Sequence, residues 1–334
     1  MMLSLGPNGG YVRSTKPALI TRRQILQGSV ALAGSALIPA WVARPLGAAL
    51  QQATADPLAQ ARAQMGAIPI TTVKLSDSLV MLSGPGGNVV VLNGSDGKIV
   101  VDTFVLPAWD GLKQALDGLG SGKITSLIDT HWHFDHTDNN GAFRKAGAGI
   151  IAHENTKKRL TESHELLGMK FPPAPPDALP TQTFANRLSL TANGEQIALA
   201  HRAPAHTDTD ITIRFQKANV LHMGDLFFNG FYPFFDSSTG GNINGMIAIS
   251  TQVLKEVDAT TKIVPGHGPL GDQAALRRSV DMMVTVRDRV QKLKKAGRTL
   301  EEVVAAAPTK DLDATWGKGF LQPNQFVTIV YNAL

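Results

Sequence analysis

The densest group of metal-binding side chains in this sequence lies between Ile128 and His136, which reads Ile-Asp-Thr-His-Trp-His-Phe-Asp-His. It contains the imidazoles of His131, His133 and His136 and the carboxylate of Asp135. His131 and His133 are two residues apart on a backbone expected to be extended, so their side chains project to the same side. Neutral imidazole and carboxylate are ligands for a borderline ion such as zinc. The segment therefore predicts a metal site.

Three further residues of the same chemical type follow at wide spacing. His206 lies in the sequence Pro-Ala-His-Thr-Asp, between two predicted strands. Asp225 ends an apolar strand, where a carboxylate without a partner would cost several kcal/mol. His267 lies in the glycine-rich sequence Pro-Gly-His-Gly, after a short predicted strand. We expect these three to join the first group, giving five imidazoles and two carboxylates around one site.

The order and spacing of these residues resemble the metallo-β-lactamase-fold hydrolase superfamily. Its signature is His-x-His-x-Asp-His, followed by single His, Asp and His residues at strand ends. The resemblance covers residues 71–270. It implies an α/β fold, a four-layer αβ/βα sandwich, with two zinc ions per chain in a cleft at one edge of the sheets.

The resemblance also implies a role for each residue. His131, His133 and His206 would hold one zinc ion, while Asp135, His136 and His267 would hold the other and Asp225 would bridge the two. Such a pair lowers the pKa of a shared water towards about 7, and the resulting hydroxide attacks a carbonyl carbon or a phosphorus atom. Asp135 would also orient that hydroxide. The implied substrate is a small ester, thioester, lactone or lactam.

Differences between this sequence and individual branches of the superfamily reduce the number of expected activities. The chain contains no Cys, which excludes the β-lactamases with a Cys ligand at the second metal. The other dizinc β-lactamases normally lack a bridging Asp, so Asp225 favours hydrolases of the glyoxalase II and lactonase kind. Three alternatives stay open. They are a main function as a β-lactamase, an iron-dependent oxidoreductase of the persulfide dioxygenase type, and a non-enzymatic binding protein that keeps the fold.

The aromatic loop from Phe227 to Phe235 follows Asp225 closely. About half of its rings are expected to pack in the core. The functional hypothesis is that the loop walls the substrate pocket, with the Tyr232 hydroxyl donating a hydrogen bond to the oxyanion.

The remaining histidines are expected to be structural. His222 is three residues before Asp225, on the opposite face of its strand. His153 and His201 are predicted to be hydrogen-bonded at strand ends, and His164 to be solvated on a polar helix.

The elements that must position these residues form two blocks of comparable size, 71–170 and 183–268. Period-two patterns and turn signals predict strands at 71–75, 78–82, 88–92, 98–102, 126–128, 149–152, 188–190, 196–200, 211–215, 219–223 and 262–264. Helical spacing predicts helices at 108–119, at 138–145 with Asp138 as N-cap, from Glu154, at 246–257, and over most of 271–334. A capping box is predicted at Thr299 and Glu302. The Pro-rich run 171–176 is interpreted as an extended surface connector, and 56–70 as a linker.

Residues 1–55 carry five basic residues and no acidic one, among them the pair Arg22-Arg23 ahead of an apolar run at 29–42. This pattern resembles a bacterial twin-arginine export signal, with 53–55 as a cleavage site. A membrane anchor is the alternative, but the run is shorter than the roughly 20 residues that a spanning helix needs. We therefore expect the twin-arginine export machinery as a partner, a periplasmic location, and no stable membrane insertion of the mature chain.

The pI of about 9.4 does not indicate a nucleic-acid surface. Outside residues 1–55, 27 of the 32 Lys and Arg residues remain and equal the 27 Asp and Glu residues in number. The basic excess thus belongs to the leader, and nucleic acid is not expected as a partner. The absence of Cys also excludes a structural disulfide.

Overall fold

The computed structural model describes residues 56–334. The export signal predicted for residues 1–55 lies outside them. Among the described residues, no helix combines the length and the apolar character needed to cross a membrane.

The strands follow the predicted pattern closely. In chain order they are Thr71–Lys74 (β1), Leu79–Ser83 (β2), Val89–Leu92 (β3), Lys98–Val101 (β4), Ile124–Ile128 (β5), Gly149–His153 (β6), His164–Leu166 (β7), Met169–Phe171 (β8), Gln182–Phe184 (β9), Arg187–Ala192 (β10), Glu195–His201 (β11), Ile211–Phe215 (β12), Val220–His222 (β13) and Lys262–Val264 (β14). Every predicted strand is present, with its ends within about two residues of the predicted ones. β7, β8 and β9 were not predicted.

The strands form two main sheets. The larger has the order β1-β2-β3-β4-β5-β6-β9, antiparallel from β1 to β4 and parallel from β4 to β9. The smaller has the order β10-β11-β12-β13-β14, antiparallel except for the parallel pair β13 and β14. β7 and β8 form a separate hairpin.

The helices are Pro57–Gly66 (α1), Trp109–Gly118 (α2), Phe134–Thr137 (α3), Asn140–Lys145 (α4), Glu154–Leu160 (α5), Ile243–Glu256 (α6), Gln273–Lys295 (α7), Leu300–Ala305 (α8), Asp313–Trp316 (α9) and Pro323–Ala333 (α10). Short 3₁₀ turns lie at Leu106–Ala108, Pro176–Ala178, Gly224–Leu226 and Ser237–Thr239. The predicted capping box at the start of α8 is present, with Thr299 and Glu302 each bonded to the other's backbone.

Three hydrophobic cores separate the layers. One lies between the two sheets and includes Val90 and Ile213. A second packs the outer face of the larger sheet against helices, with Leu112 and Leu116 of α2. The third and largest packs the outer face of the smaller sheet against α6, α7 and the C-terminal helices. The protein is therefore a helix-sheet-sheet-helix sandwich with a C-terminal helical extension, as predicted.

Four local predictions need correction. Asp138 is not an N-cap, because its carboxylate accepts hydrogen bonds from Arg62 instead. His164 lies in β7 rather than on a helix, and its ring packs against Trp132 at 4.5 Å between centroids. The Pro-rich connector is less extended than predicted, because it begins in β8 with the buried side chain of Phe171 and ends in a 3₁₀ turn. Helix α1 occupies most of the predicted linker 56–70, with Asp56 as its N-cap.

The topology explains why distant residues meet. β4, β5 and β6 run parallel in one sheet, and β13 and β14 run parallel in the other. The carboxyl ends of parallel strands open at the same edge of a sheet, and the loops that follow them are free to build a site. His131, Asp225 and His267 each lie within three residues of such a strand end.

Candidate metal centre

The loop after β5 presents its side chains through a change of backbone conformation. His133 is extended, with φ −62° and ψ 148°, and α3 begins at the next residue. The Thr137 hydroxyl donates to His133 O at 3.0 Å and helps to hold the turn. His131 and His133 thus project from the extended segment, while Asp135 and His136 project from one short helical turn.

The structure brings the seven predicted residues together in two adjacent groups. The first contains His131, His133, His206 and Asp225, with one ligand-type atom of each within 4.8 Å of the others. His206 Nε2 lies 2.9 Å from His133 Nδ1 and 3.5 Å from Asp225 Oδ2.

The second group contains Asp135, His136 and His267, again within 4.8 Å. Asp135 Oδ2 lies 3.2 Å from His267 Nε2 and 3.6 Å from His136 Nε2. Asp225 belongs to both groups, since its Oδ1 is 3.2 Å from His136 Nε2 and its Oδ2 is 3.4 Å from His267 Nε2.

In three of the imidazole rings, a hydrogen bond at Nδ1 leaves the other ring nitrogen free to face the cluster. His136 Nδ1 donates to Asp102 Oδ2 at 2.7 Å, and His206 Nδ1 donates to Phe234 O at 2.9 Å. The Thr130 hydroxyl donates to Asp102 Oδ2 at 2.8 Å, so it accepts at 3.0 Å from His131 Nδ1. In each ring the Nε2 lone pair then points into the cluster, which is how proteins orient a metal-binding histidine.

The polar atoms at the centre have no adequate protein partner. His131 Nε2, His136 Nε2 and Asp225 Oδ1 are buried without a hydrogen bond. Unpaired buried polar atoms are costly, and a cation would satisfy several of these at once. The donor set contains only imidazole and carboxylate, which suits zinc. The residues therefore fit a metal-binding cluster.

Without metal, protons balance the charges in this cluster. Burial alone would lower the pKa of His267, but the carboxylates of Asp225 and Asp135 outweigh it and raise the pKa to about 9. Burial alone would raise the pKa of Asp225, but His267 and His136 hold it well below its usual range. Burial lowers the pKa of His206 to about 4, so that ring is neutral at physiological pH.

Two glycines allow the backbone to approach the cluster. A Cβ at Gly87 would overlap the His136 ring, and a Cβ at Gly266 would overlap Asp225 Oδ1. Any side chain at either position would displace a cluster residue, so these two glycines are part of the site.

Sequence reasoning missed Asp102 and Asp236. Asp102 follows β4 and orients both His136 and, through Thr130, His131. Its signal was present, because it is a buried carboxylate at the end of an apolar strand, like Asp225. Asp236 Oδ2 lies 3.5 Å from His133 Nε2, so His133 presents its Nδ1 to the cluster. No sequence pattern indicated Asp236, because a long loop carries it there.

The hypothesis for Tyr232 is wrong. Its side chain is fully buried, and its hydroxyl donates to Asp313 Oδ1 at 2.8 Å. Its ring stacks on Phe326 of α10, with centroids 4.6 Å apart. Tyr232 therefore faces the helical extension and cannot donate to an oxyanion at the cluster.

The other histidines have backbone partners. His222 Nε2 donates to Asn88 O and its Nδ1 accepts from Gly224 N. His153 and His201 stack with centroids 3.6 Å apart and donate to Ala185 O and Asp208 O. His153, His201 and His222 are therefore structural, as predicted.

A cleft of about 790 Å³ opens onto the cluster. His133, Asp135, Asp225 and His267 form its floor, and Phe228 and Phe234 of the aromatic loop form part of one wall. That loop thus walls the cleft as predicted, though through these rings rather than Tyr232.

A family model described as the metallo-beta-lactamase superfamily matches residues 82–290. A probable metallo-hydrolase of Methanocaldococcus jannaschii is 28% identical over 186 residues, covering 53% of this chain and 86% of that protein. A type 2 metallo-beta-lactamase of Bacillus cereus is 22% identical over 201 residues, covering 59% and 72%. Among solved structures, a metallo-beta-lactamase from Pontibacter korlensis superposes with a TM-score of 0.54 at 17% identity, covering 64% of this chain and 99% of that one.

Proposed function

The chain belongs to the metallo-β-lactamase superfamily, and from this premise we propose that it is an exported, dinuclear zinc hydrolase. Its substrate would be a small ester, thioester, lactone or lactam. The observation that carries the proposal is the position of Asp225, whose two oxygens face residues of both groups at 3.2–3.5 Å. One carboxylate shared by two groups of three ligands suits two neighbouring metal ions.

Bound at the two groups, zinc would supply Lewis acidity and a water molecule of lowered pKa. The chain's own residues would do the rest. Asp225 would offset part of the concentrated positive charge. Asp135 reaches the cleft floor, and its pKa is lowered because His136 and His267 outweigh the effect of burial. It is thus an ionised acceptor that can orient an attacking water.

A hydrolysis panel on zinc-loaded protein tests this proposal. It would contain S-lactoylglutathione, an acyl-homoserine lactone, a chromogenic cephalosporin and bis-p-nitrophenyl phosphate. We expect turnover of the thioester or the lactone, abolished in His133→Ala and retained in His201→Gln, which changes an imidazole outside the cluster. Zinc-loaded protein that turns over nothing would favour the non-enzymatic alternative.

Lactam cleavage as the main function is the second candidate, and similarity to the B. cereus enzyme supports it. Asp225 argues against it, because the dizinc β-lactamases that this ligand set resembles normally lack a bridging Asp. The cephalosporin in the same panel decides between them. A kcat/KM for cephalosporin above that for the thioester and the lactone would reverse the assignment.

Export to the periplasm is the remaining part of the proposal. It rests on Arg22-Arg23 ahead of the apolar run at 29–42. Replacing both arginines by lysine should keep the protein in the cytoplasmic fraction, while Arg44→Lys, a matched change in the same leader, should leave export intact. Unchanged export of the double variant would contradict a twin-arginine route.

A further inference from the structure

The exposed apolar side chains of the described residues are concentrated at the mouth of one cleft. Five large apolar residues are between 36% and 59% exposed. Four of them line the cleft above the metal cluster, namely Ile68, Val73, Leu167 and Phe320, and only Leu106 does not. Exposed apolar groups gathered in one place indicate a binding surface.

These four residues come from four separate parts of the chain. Ile68 follows α1, Val73 lies in β1, Leu167 forms the turn of the β7–β8 hairpin, and Phe320 lies between α9 and α10. Three of them fall outside residues 82–290, which match the family model. The mouth is thus built largely from segments outside the part of the chain that matches the family model.

Specific contacts hold α1 and the segment that carries Phe320 in place. Arg62 of α1 binds Asp138 through two hydrogen bonds of 2.5 and 2.7 Å, which fixes the helix beside the metal loop. At the other side, a Cβ at Gly319 would lie only 2.9 Å from the Phe231 side chain, so the segment carrying Phe320 packs tightly on the aromatic loop. The mouth is therefore a built surface.

The cleft offers little to a charged substrate away from the cluster. Among the described residues that line it, Lys318 is the only Lys or Arg, and its only acidic residues, Asp135 and Asp225, belong to the cluster. Met65, Met81 and Met169 add flexible apolar surface along its walls. An apolar group of variable shape fits these walls best.

We propose that the substrate carries an extended aliphatic acyl chain, which lies against Ile68, Val73, Leu167 and Phe320 while its carbonyl faces the metal cluster. This inference rests on the proposed hydrolase function. In the reaction, the oxygen of water bonds to the acyl carbon and the bond from that carbon to the leaving oxygen or sulfur breaks. The leaving group takes up a proton, and the products are a fatty acid and an alcohol or thiol.

A chain-length series tests the proposal. The kcat/KM of the zinc-loaded full chain would be measured on p-nitrophenyl acetate, butyrate, hexanoate, octanoate and decanoate below their micelle concentrations, corrected for alkaline hydrolysis rates. Burial of each methylene should raise kcat/KM about threefold to fourfold until the mouth is filled. The double variant Leu167→Asn and Phe320→Ser should flatten this dependence. Asn tolerates the positive φ of 52° at residue 167.

Leu106→Ser is the matched control, because Leu106 is equally exposed but lies outside the cleft. It should leave the chain-length dependence unchanged. A flat dependence in the unmodified protein, or a steep one that survives in the double variant, would overturn the proposal.

A second measurement separates this inference from the proposed function. Binding of butyrate, octanoate and decanoate would be followed by calorimetry on the same protein and variants. Affinity that rises with chain length and falls in the double variant supports the acyl site even if no ester is turned over. Metal-dependent turnover of acetate, with no chain-length effect in either measurement, would contradict the acyl site and leave the hydrolase function standing.

Discussion

The metal cluster and the mouth of the cleft lie in one cavity but differ in how they are built. The cluster residues sit on short loops directly after buried strands, and most are fixed by buried hydrogen bonds. The mouth is made of exposed side chains that follow α1, lie in β1, form the turn of a small hairpin and belong to the C-terminal extension. The metal-binding residues are therefore placed by the strands of the shared fold, whereas the proposed acyl site lies largely on segments outside the family match. We expect the effects of the four following changes to decrease from the metal cluster towards the mouth of the cleft.

Asp225→Asn should have the largest effect. The change removes the charge that both groups share, and we expect kcat/KM to fall by more than the 10- to 100-fold typical of an outer partner of a metal ligand. Long and short esters should be affected equally, because the mouth is untouched. Asp313→Asn is the matched control and should keep full activity. A loss of kcat/KM confined to long esters would mean that the metal cluster and the mouth of the cleft do not act independently.

Asp102→Asn should have the next largest effect. Asp102 touches no cleft atom but orients His136 and, through Thr130, His131. Metal affinity should fall about 10- to 100-fold, measured by competition with a chelator. Saturating zinc should restore most of the activity, which separates a positioning role from a role in the reaction. Activity that stays lost at saturating zinc would contradict this.

The third prediction concerns pH and compares the metal-free with the metal-loaded centre. Because Asp225 and Asp135 raise the pKa of His267 to about 9, zinc must displace a proton there at pH 7. Zinc affinity should therefore increase with pH up to about 9, with proton release detectable in weak buffer. The stability of metal-free protein should change oppositely. The raised pKa of His267 contributes stability that is complete when the pH is below the unfolded pKa of about 6.5. This contribution is lost as the pH rises through about 9. Zinc uptake without proton release would contradict this charge state.

Tyr232→Phe should have the smallest effect. It removes the hydrogen bond to Asp313 and thereby loosens the extension that carries Phe320. We expect the free energy of unfolding to fall by about 1 kcal/mol in a denaturant titration. Turnover of acetate should be unchanged, because the hydroxyl does not reach the cluster. A large loss of acetate turnover would restore the oxyanion role that the structure argues against.

The same contrast explains what the sequence could predict. The cluster residues could be predicted from the sequence, because each lies either in one short segment or next to an apolar strand or a glycine-rich turn. Strand ends are features of the local sequence. Asp102 carried the same signal and could have been found. The roles of Tyr232, Asp138 and Asp236 depend on where loops and helices meet in space, which periodicity does not encode. Helix α1 was missed because its sequence, Pro-Leu-Ala-Gln-Ala-Arg-Ala-Gln-Met-Gly, has no clear apolar stripe and buries only Leu58.

Metal identity and stoichiometry, measured by elemental analysis of the purified full chain, test the central claim most directly. We expect two zinc ions per chain, falling to one or fewer in Asp225→Asn. One iron ion per chain, unchanged in that variant, would contradict the dinuclear hydrolase and favour an iron-dependent oxidoreductase.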